Sequence, residues 1–127
     1  FNYYKNFTER IKKNKIDFLN FVITEKRADK SIAAYGAAAK GNTFFNYCGI
    51  KADLIDFVVD ASPHKQGKFL PGSHIPIVNE KQIKLNKPDY ILILPWNIKE
   101  EIINQLDYIK NWGGKFVVSI PSLRIIK

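Results

Sequence analysis

The first thirty residues carry apolar positions that recur with the period of an α-helix. Apolar residues return at steps of three or four, Lys15 stands where one of them would continue the series, and charged residues fill many of the remaining positions. No Gly or Pro interrupts the segment. The pattern predicts a helix over residues 1–30 that covers a core or a neighbouring domain with one stripe: Tyr4, Phe7, Ile11, Phe18 and Val22. A helix on a membrane surface is a weaker alternative, suggested by the basic polar face.

Beyond residue 30 the pattern changes to short runs that are almost continuously apolar. Such runs, rich in Ile and Val, are typical of strands that are buried on both faces of a parallel sheet. Helical patterns lie between them, and the clearest one has Asn97 as its expected N-cap. The predicted strands are 31–35, 54–59, 90–94 and 115–119, and the predicted helices are 37–48, 79–85 and 97–111. This order predicts an α/β fold, a Rossmann-like three-layer sandwich with a mostly parallel sheet, preceded by a long N-terminal helix.

Residues 61–78 fit neither a strand nor a helix. The segment contains three Pro, two Gly, two His and two Lys, and it leaves the carboxyl end of the second predicted strand. Loops of this length in compact domains are usually functional or disordered. We expect an ordered loop, because four apolar side chains are available to pin it to the core: Phe69, Leu70, Ile75 and Ile77.

Composition narrows the class of protein. The chain has 127 residues, of which 46% are hydrophobic and 25% charged, as in a single globular domain. One cysteine excludes a disulfide framework and fits a reducing cytoplasm, and Cys48 itself is expected in the core. The absence of methionine predicts a processed chain or a piece of a longer protein. The net charge of +8 comes from scattered lysines without a nucleic-acid motif, so we expect no nucleic-acid partner. We also expect no membrane span, because the longest apolar runs, such as residues 91–94, are far too short to cross a bilayer.

Residues 36–43, Gly-Ala-Ala-Ala-Lys-Gly-Asn-Thr, lie where the first predicted strand turns into the next helix. In open α/β sheets that turn faces the ligand crevice. Gly36 permits a tight turn, Gly41 and the alanines allow backbone amides to approach an anion, and Lys40 adds a positive charge. A plain turn that needs small residues for packing is an equal alternative. The middle glycine of Gly-x-Gly-x-x-Gly is missing, which weakens a standard NAD or ATP assignment.

Further candidate residues follow the second and third predicted strands. Asp60 lies 24 residues after Gly36, near the place where an acid binds ribose hydroxyls in dinucleotide folds, although it could instead cap its own turn. Trp96 and Asn97 follow the strand that ends at residue 94. The indole could stack on a base or sugar or simply cover the core, and Asn97 has the alternative role of helix cap.

The two histidines, His64 and His74, lie in the long loop among lysines and prolines. A metal site needs three or four ligands of suitable geometry, and neighbouring lysines disfavour a cation. We therefore expect no metal. Surface or structural histidines are the default interpretation, and a hydrogen bond to a ligand phosphate or sugar is the functional alternative.

Four ordered blocks give the chain a family resemblance. It resembles the C-terminal domain of sugar C-methyltransferases, enzymes that add a methyl group to carbon 3 of nucleotide-linked deoxysugars. The blocks are residues 36–43, 63–72 with 74–77 extending it, 89–97, and Trp-Gly-Gly at 112–114. The resemblance implies a parent enzyme with a zinc-binding N-terminal domain, a central domain that binds S-adenosylmethionine and holds the catalytic base, and this Rossmann-like domain at the C-terminus.

The resemblance also implies a division of labour. Residues 1–30 would be a linking helix, and residues 31–127 the C-terminal domain, which packs on the central domain of its own chain and is not catalytic alone. We expect a cytoplasmic enzyme whose nucleotide-diphosphate sugar is held here by Gly36, Ala37, Lys40, Gly41, Asn42, Asp60, Lys65, His74, Trp96 and Asn97. The alternative is a standalone nucleotide- or dinucleotide-binding Rossmann-like module.

Overall fold

The computed structural model describes residues 2–37, 39–119 and 123–126, with side chains for all of these except 2–8, 39 and 40. Within that part the helices are α1 (Asn2–Arg27), α2 (Ala39–Cys48), α3 (Lys81–Asn86) and α4 (Lys99–Gln105). Short 3₁₀ helices, Trp96–Ile98 and Asp107–Trp112, flank α4. The strands are β1 (Ile32–Tyr35), β2 (Val58–Val59), β3 (Ile77–Val78), β4 (Tyr90–Ile93), β5 (Lys115–Val118) and β6 (Arg124–Ile126).

These strands form one sheet in the order β3-β2-β1-β4-β5-β6. The pairs among β1 to β5 are parallel, and β6 runs antiparallel to β5. The direction of winding therefore reverses between β1 and β4, whose four-residue register runs from Ile32 opposite Tyr90 to Tyr35 opposite Ile93. Open sheets of this kind bind ligands beyond the carboxyl ends of the strands at that reversal. The α/β fold with a mostly parallel sheet is confirmed.

One apolar cluster lies on each face of the sheet. On the first face Phe18 and Val22 of α1 and Phe45 of α2 are fully buried against the sheet. On the other face Ile83 of α3 and Ile102 of α4 are buried. Cys48 belongs to the first cluster, and burial raises the pKa of its thiol to about 11, against a lowering influence of the Lys15 charge. The helices thus pack on both faces of the sheet through apolar residues whose spacing is visible in the sequence.

The long N-terminal helix is confirmed, and its C-terminal half packs into this core. Two polar contacts join that half to the rest of the domain: the hydroxyl of Tyr90 in β4 donates to Glu25 over 2.6 Å, and Lys26 pairs with Asp56, just before β2, over 3.3 Å. The side chains of Tyr4 and Phe7, which the sequence places on the buried stripe, lie outside the described side chains. A domain boundary at residue 30 stays a prediction.

Several predictions of local structure were wrong. The second strand is only two residues long, because Leu54 and Ile55 donate their backbone N–H groups to the carbonyl of Lys51 and form a turn. The helix predicted over residues 97–111 is divided into α4 and its two 3₁₀ neighbours. Asn97 does not cap it, since the N-cap of α4 is Ile98, and no side chain makes that cap.

The long loop is ordered as expected but is pinned by three of the four predicted side chains. Leu70, Ile75 and Ile77 are buried, whereas Phe69 is 60% exposed. Residues 68–77 fold back on themselves through backbone hydrogen bonds from Ile77 to Lys68 and from Leu70 to Ile75. We call residues 68–77 the arm. The arm ends in β3, which is the outermost strand on one side of the sheet. The sequence predicted no strand there.

Candidate functional site

The predicted binding residues lie mainly in turns that leave the carboxyl ends of neighbouring strands. Gly36 follows β1, Asp60 follows β2, and Trp96 comes soon after β4. These three strands are adjacent and parallel, so their carboxyl ends share one edge of the sheet. The turn after β1 stands at the centre of this edge.

Gly36 adopts a conformation that only glycine accepts easily. Its φ is +95°, and a Cβ atom there would lie 2.5 Å from Cδ of Pro95. Its N–H donates to the carbonyl of Val59 over 2.7 Å. The glycine is thus needed for the turn and for close contact with the turn after β4, which supports the packing alternative. A ligand role for Gly36 stays a prediction.

Gly41 brings α2 close to the sheet. A Cβ atom at this position would lie 2.8 Å from Cβ of Leu94. Gly36 and Gly41 have the spacing of the first and third glycines of Gly-x-Gly-x-x-Gly, and they serve the same ends, a tight turn and close helix–strand packing. Ala38, at the middle position, lies outside the described residues.

Asp60 connects two turns through its carboxylate. One oxygen accepts a hydrogen bond from the N–H of Ala37 and the other from the N–H of Ser62, both over 2.8 Å. The side-chain amide of Gln66 donates to the Asp60 carbonyl over 2.8 Å. Asp60 therefore does cap its own turn. Each carboxylate oxygen can accept more than one hydrogen bond, so Asp60 retains acceptor sites for ligand hydroxyls. That role stays a prediction.

Lys65 is the predicted cation that the structure brings to the same turn. Its ammonium group donates to the carbonyl of Ala37 over 3.2 Å, and the residue is exposed. Lys40 lies in the first turn of α2, but its side chain lies outside those described. Lys65 reaches the turn from 28 residues along the chain. Gly36, Ala37, Asp60 and Lys65 are therefore brought together at one place.

The remaining predicted residues surround this group. Trp96 is 39% exposed and Asn97 is exposed, both in the 3₁₀ helix after Pro95. His74 is exposed in the arm, with a φ of +57°. Among the described hydrogen bonds none joins His74 or Asn97 to the Gly36 turn. Asn42 lies in α2 with a buried Oδ1.

The sequence pointed to one residue that helps to build this site and missed two others. Ser62 supplies an N–H to Asp60, as the alternative of a capped Asp-Ala-Ser-Pro turn predicts, because Asp often bonds to the backbone two residues on. Pro95 packs on Gly36, and Gln66 closes the turn after β2. No local signal marks either of these, since both contacts depend on how distant segments meet.

Neither a metal centre nor a membrane-spanning helix is found in the part of the chain that the structure describes. Across residues 2–37, 39–119 and 123–126, no group of three or more His, Cys, Asp and Glu side chains is placed to hold a metal ion. No helix within the same ranges is long and apolar enough to cross a membrane.

Comparison with known proteins identifies the family. The family model for the C-methyltransferase C-terminal domain matches residues 1–121. The C-methyltransferase NovU of Streptomyces niveus is 45% identical over 98 residues, which is 76% of this chain and 23% of that protein. The chain thus spans about a quarter of the length of this relative. Because the family model matches nearly the whole chain, the chain belongs to the C-methyltransferase C-terminal domain family.

Proposed function

We propose that this chain is the substrate-binding C-terminal domain of an S-adenosylmethionine-dependent C-methyltransferase that acts on a nucleotide-linked deoxysugar in the cytoplasm. The observation that carries the proposal is the turn at Gly36 and Ala37, with Lys65 and Asp60 bound to its backbone. It puts a cation and a carboxylate together at the sheet edge where Rossmann-like domains bind ligands. The family match supplies the reaction class.

Lys65 is the residue we propose for the diphosphate. Its ammonium group now donates to a neutral carbonyl, that of Ala37. A phosphate oxygen is a stronger acceptor for an ammonium group than a neutral carbonyl oxygen, because its negative charge adds a Coulomb attraction to the hydrogen bond. Lys65 is exposed and can make that exchange by rotating its side chain. Lys40, in the first turn of α2, supplies a second positive charge in the proposal.

The other residues would recognise the neutral parts of the ligand. Asp60 accepts hydrogen bonds from ribose or sugar hydroxyls, and Trp96 stacks on the base or a sugar ring. Polar contacts come from the amides of Asn42 and Asn97 and from the imidazole of His74. The backbone at Gly36, Ala37 and Gly41 provides a surface without bulky side chains. Together these groups would orient the sugar and exclude water from it.

We place the cofactor and the catalytic base outside this chain. S-adenosylmethionine supplies the methyl group in this reaction class, and removal of a proton next to the sugar carbonyl requires a general base. The turn after β1 departs from the dinucleotide-binding fingerprint, since the middle glycine is replaced by Ala38, which argues against a nicotinamide cofactor here. This chain would instead pack on the cofactor-binding part of the parent enzyme.

The proposal is tested by titrating the 127-residue chain with dTDP-glucose and UDP-glucose. In a Trp112→Phe background, Trp96 is the only tryptophan of the chain. Trp112 is not among the proposed binding residues, and its Nε1 donates to the carbonyl of Pro88 just before β4. We expect the Trp96 fluorescence to change on binding. Lys65→Ala should weaken binding about tenfold, which corresponds to the loss of one charge-assisted hydrogen bond.

The matched control is Lys30→Ala, which removes an exposed lysine before β1 and should leave the affinity unchanged. Equal affinities of the Lys65→Ala and Lys30→Ala variants would contradict the assignment of Lys65. Titration with NAD tests the alternative function, a dinucleotide-binding module. Tighter binding of NAD than of either sugar nucleotide would favour a dinucleotide-binding module, the function that the Gly36, Gly41 and Asp60 spacing also suggests.

A further inference from the structure

Lys65 belongs to a short loop, residues 60–67, that connects β2 to the arm. Its ammonium group donates to the carbonyl of Ala37 over 3.2 Å, although the residue is exposed and lies 28 positions further along the chain. An exposed lysine has a long flexible stem and samples many rotamers, so fixing its charge at one place loses side-chain entropy. The loop that carries Lys65 therefore helps to decide where the ammonium group is found.

Backbone hydrogen bonds fold this loop into a turn. The carbonyl of Ser62 accepts from the N–H of Lys65 over 3.1 Å and from that of Gln66 over 3.3 Å. The N–H of Gly67 donates to the carbonyl of Ile77 over 2.9 Å, which attaches the end of the loop to β3. The backbone of Lys65 thus lies within a hydrogen-bonded turn whose far end is fixed to the sheet.

Gln66 closes the same loop with its side chain. Its Nε2 donates to the carbonyl of Asp60 over 2.8 Å, in a partly buried contact that spans six residues. Asp60 is itself fixed, because its carboxylate accepts from the N–H groups of Ala37 and Ser62 over 2.8 Å each. The Gln66 amide therefore ties the residue next to Lys65 to the residue that holds the turn after β1.

The backbone of Ala37 is consequently bound by two side chains of one loop. Its N–H donates to the carboxylate of Asp60, and its carbonyl accepts from the ammonium group of Lys65. These two side chains come from opposite ends of the loop, and the bond from Gln66 to the Asp60 carbonyl joins those ends. The distance between the two grips on Ala37 depends on that closure.

We infer that Gln66 is a positioning residue for Lys65: by holding the loop of residues 60–67 closed, its amide keeps the Lys65 ammonium group at the Ala37 turn. The inference rests on the proposed function for the ligand, a nucleotide-diphosphate sugar, whereas the effect of Gln66 on Lys65 belongs to the ligand-free chain. A charge that is already in place binds an anion better, because less side-chain entropy is lost on binding. Gln66 acts through Lys65 and need not contact the ligand.

Nuclear magnetic resonance of the ligand-free chain tests the positioning by itself. The chemical shift of the Ala37 carbonyl carbon responds to its hydrogen bond, and Lys65→Ala gives the full size of that response. Gln66→Met keeps an unbranched side chain of similar length but has no donor, and Gln66→Glu keeps the shape but its carboxylate only accepts. We expect both variants to reproduce most of the Lys65→Ala change. Gln82→Met is the matched control, since the amide of Gln82 donates to another side chain of its own helix, α3.

Three results of that measurement overturn the inference. The first is an Ala37 signal that stays at its wild-type position in the folded Gln66 variants. The second is a change in Gln66→Met no larger than that in Gln82→Met. The third is an Ala37 signal that Lys65→Ala leaves unmoved, because there would then be no bond to position.

Titration with dTDP-glucose in the Trp112→Phe background tests the consequence for binding. Gln66→Met should weaken binding about threefold, less than Lys65→Ala, since it displaces the charge without removing it. The double variant should bind no more weakly than Lys65→Ala alone, because both residues act through one contact. An unchanged affinity in Gln66→Met, or losses that add in the double variant, overturns the inference. If the wild-type chain binds neither sugar nucleotide, the proposed function fails, and the Ala37 signal still decides whether Gln66 positions Lys65.

Discussion

The carboxylate of Asp60 accepts a hydrogen bond of 2.8 Å from the backbone N–H of Ala37 and thereby ties the end of β2 to the turn after β1. Its second oxygen holds the N–H of Ser62, so one side chain organises two turns at the sheet edge. Hydrogen bonds to a charged acceptor contribute more than neutral ones. The site that we propose for a sugar nucleotide is therefore built by internal contacts before any ligand arrives.

Replacing Asp60 by Asn should loosen both turns. An amide has one carbonyl oxygen where the carboxylate has two, so either Ala37 or Ser62 loses its acceptor. We expect the free energy of unfolding to fall by about 1–3 kcal/mol. Urea denaturation measures this change, and hydrogen exchange should show faster exchange of the Ala37 and Ser62 amides. The matched control is Asp53→Asn in an exposed turn, and an equal loss there would contradict the role of Asp60.

Gly36→Ala should be costly for two separate reasons. The positive φ of +95° strains any L-residue, and the new Cβ would meet Pro95. Together these should reduce the free energy of unfolding by about 3 kcal/mol. The comparison is Gly49→Ala, where φ is +74° and nothing lies within 4 Å, so strain acts alone and costs about 1 kcal/mol.

The double variant Gly36→Ala with Pro95→Ala isolates the part of the lost free energy of unfolding that comes from contact with the proline ring. Removing the proline ring should restore stability toward the level of Gly49→Ala. If the double variant were less stable than Gly36→Ala alone, contact with Pro95 would not be the reason that position 36 needs glycine. Denaturant titrations of all four proteins, including the wild type, give the comparison.

Phe18→Ala tests whether α1 belongs to the core. The ring is fully buried, with Phe44 at a centroid distance of 5.2 Å and Phe45 at 6.4 Å. Truncation should lower the free energy of unfolding by about 3–5 kcal/mol. Ile16→Ala, at a position of the same helix that is 57% exposed, should change it by less than about 0.5 kcal/mol. Similar losses at both positions would mean that α1 does not pack as the structure shows.

Stability should fall at alkaline pH through Tyr90. Burial, then the hydrogen bond to Glu25 and the charges of Glu25 and Asp89, raise the pKa of Tyr90 from 10.0 to about 12. Between these values the unfolded chain loses the phenol proton while the folded chain retains it. The free energy of unfolding therefore carries no penalty from this group below pH 10 and falls as pH rises toward 12. Burial and Glu80 raise the pKa of Tyr108 to about 12 as well.

Urea denaturation at a series of pH values from 8 to 11.5, roughly spanning the ordinary tyrosine pKa, measures this effect. Tyr90→Phe removes one titrating group, so its decline above pH 10 should be shallower than that of the wild type. Glu25→Gln should also reduce the slope, because it removes a charge that raises the Tyr90 pKa. Parallel curves for wild type and Tyr90→Phe would show that Tyr90 does not titrate as described.

Long apolar patterns predicted their elements well. The runs that became β1, β4 and β5 are buried along most of their length, and the helical period of α1 correctly placed Phe18 and Val22 in the core. The shortest strands were not predicted correctly, for a physical reason. β2 and β3 have two residues each, and such strands are defined by the neighbours to which they bond rather than by their own composition.

By itself the sequence determined the α/β class, the buried strands, the amphipathic helix and the glycine turn at residue 36, because these follow from local periodicity and backbone freedom. Only the tertiary structure decided which side chains meet there. Asp60 reaches Ala37 from 23 residues away and Lys65 from 28, while Pro95 comes from the turn after β4. Contacts between distant segments depend on strand order and register, and no local pattern of residues specifies either of these.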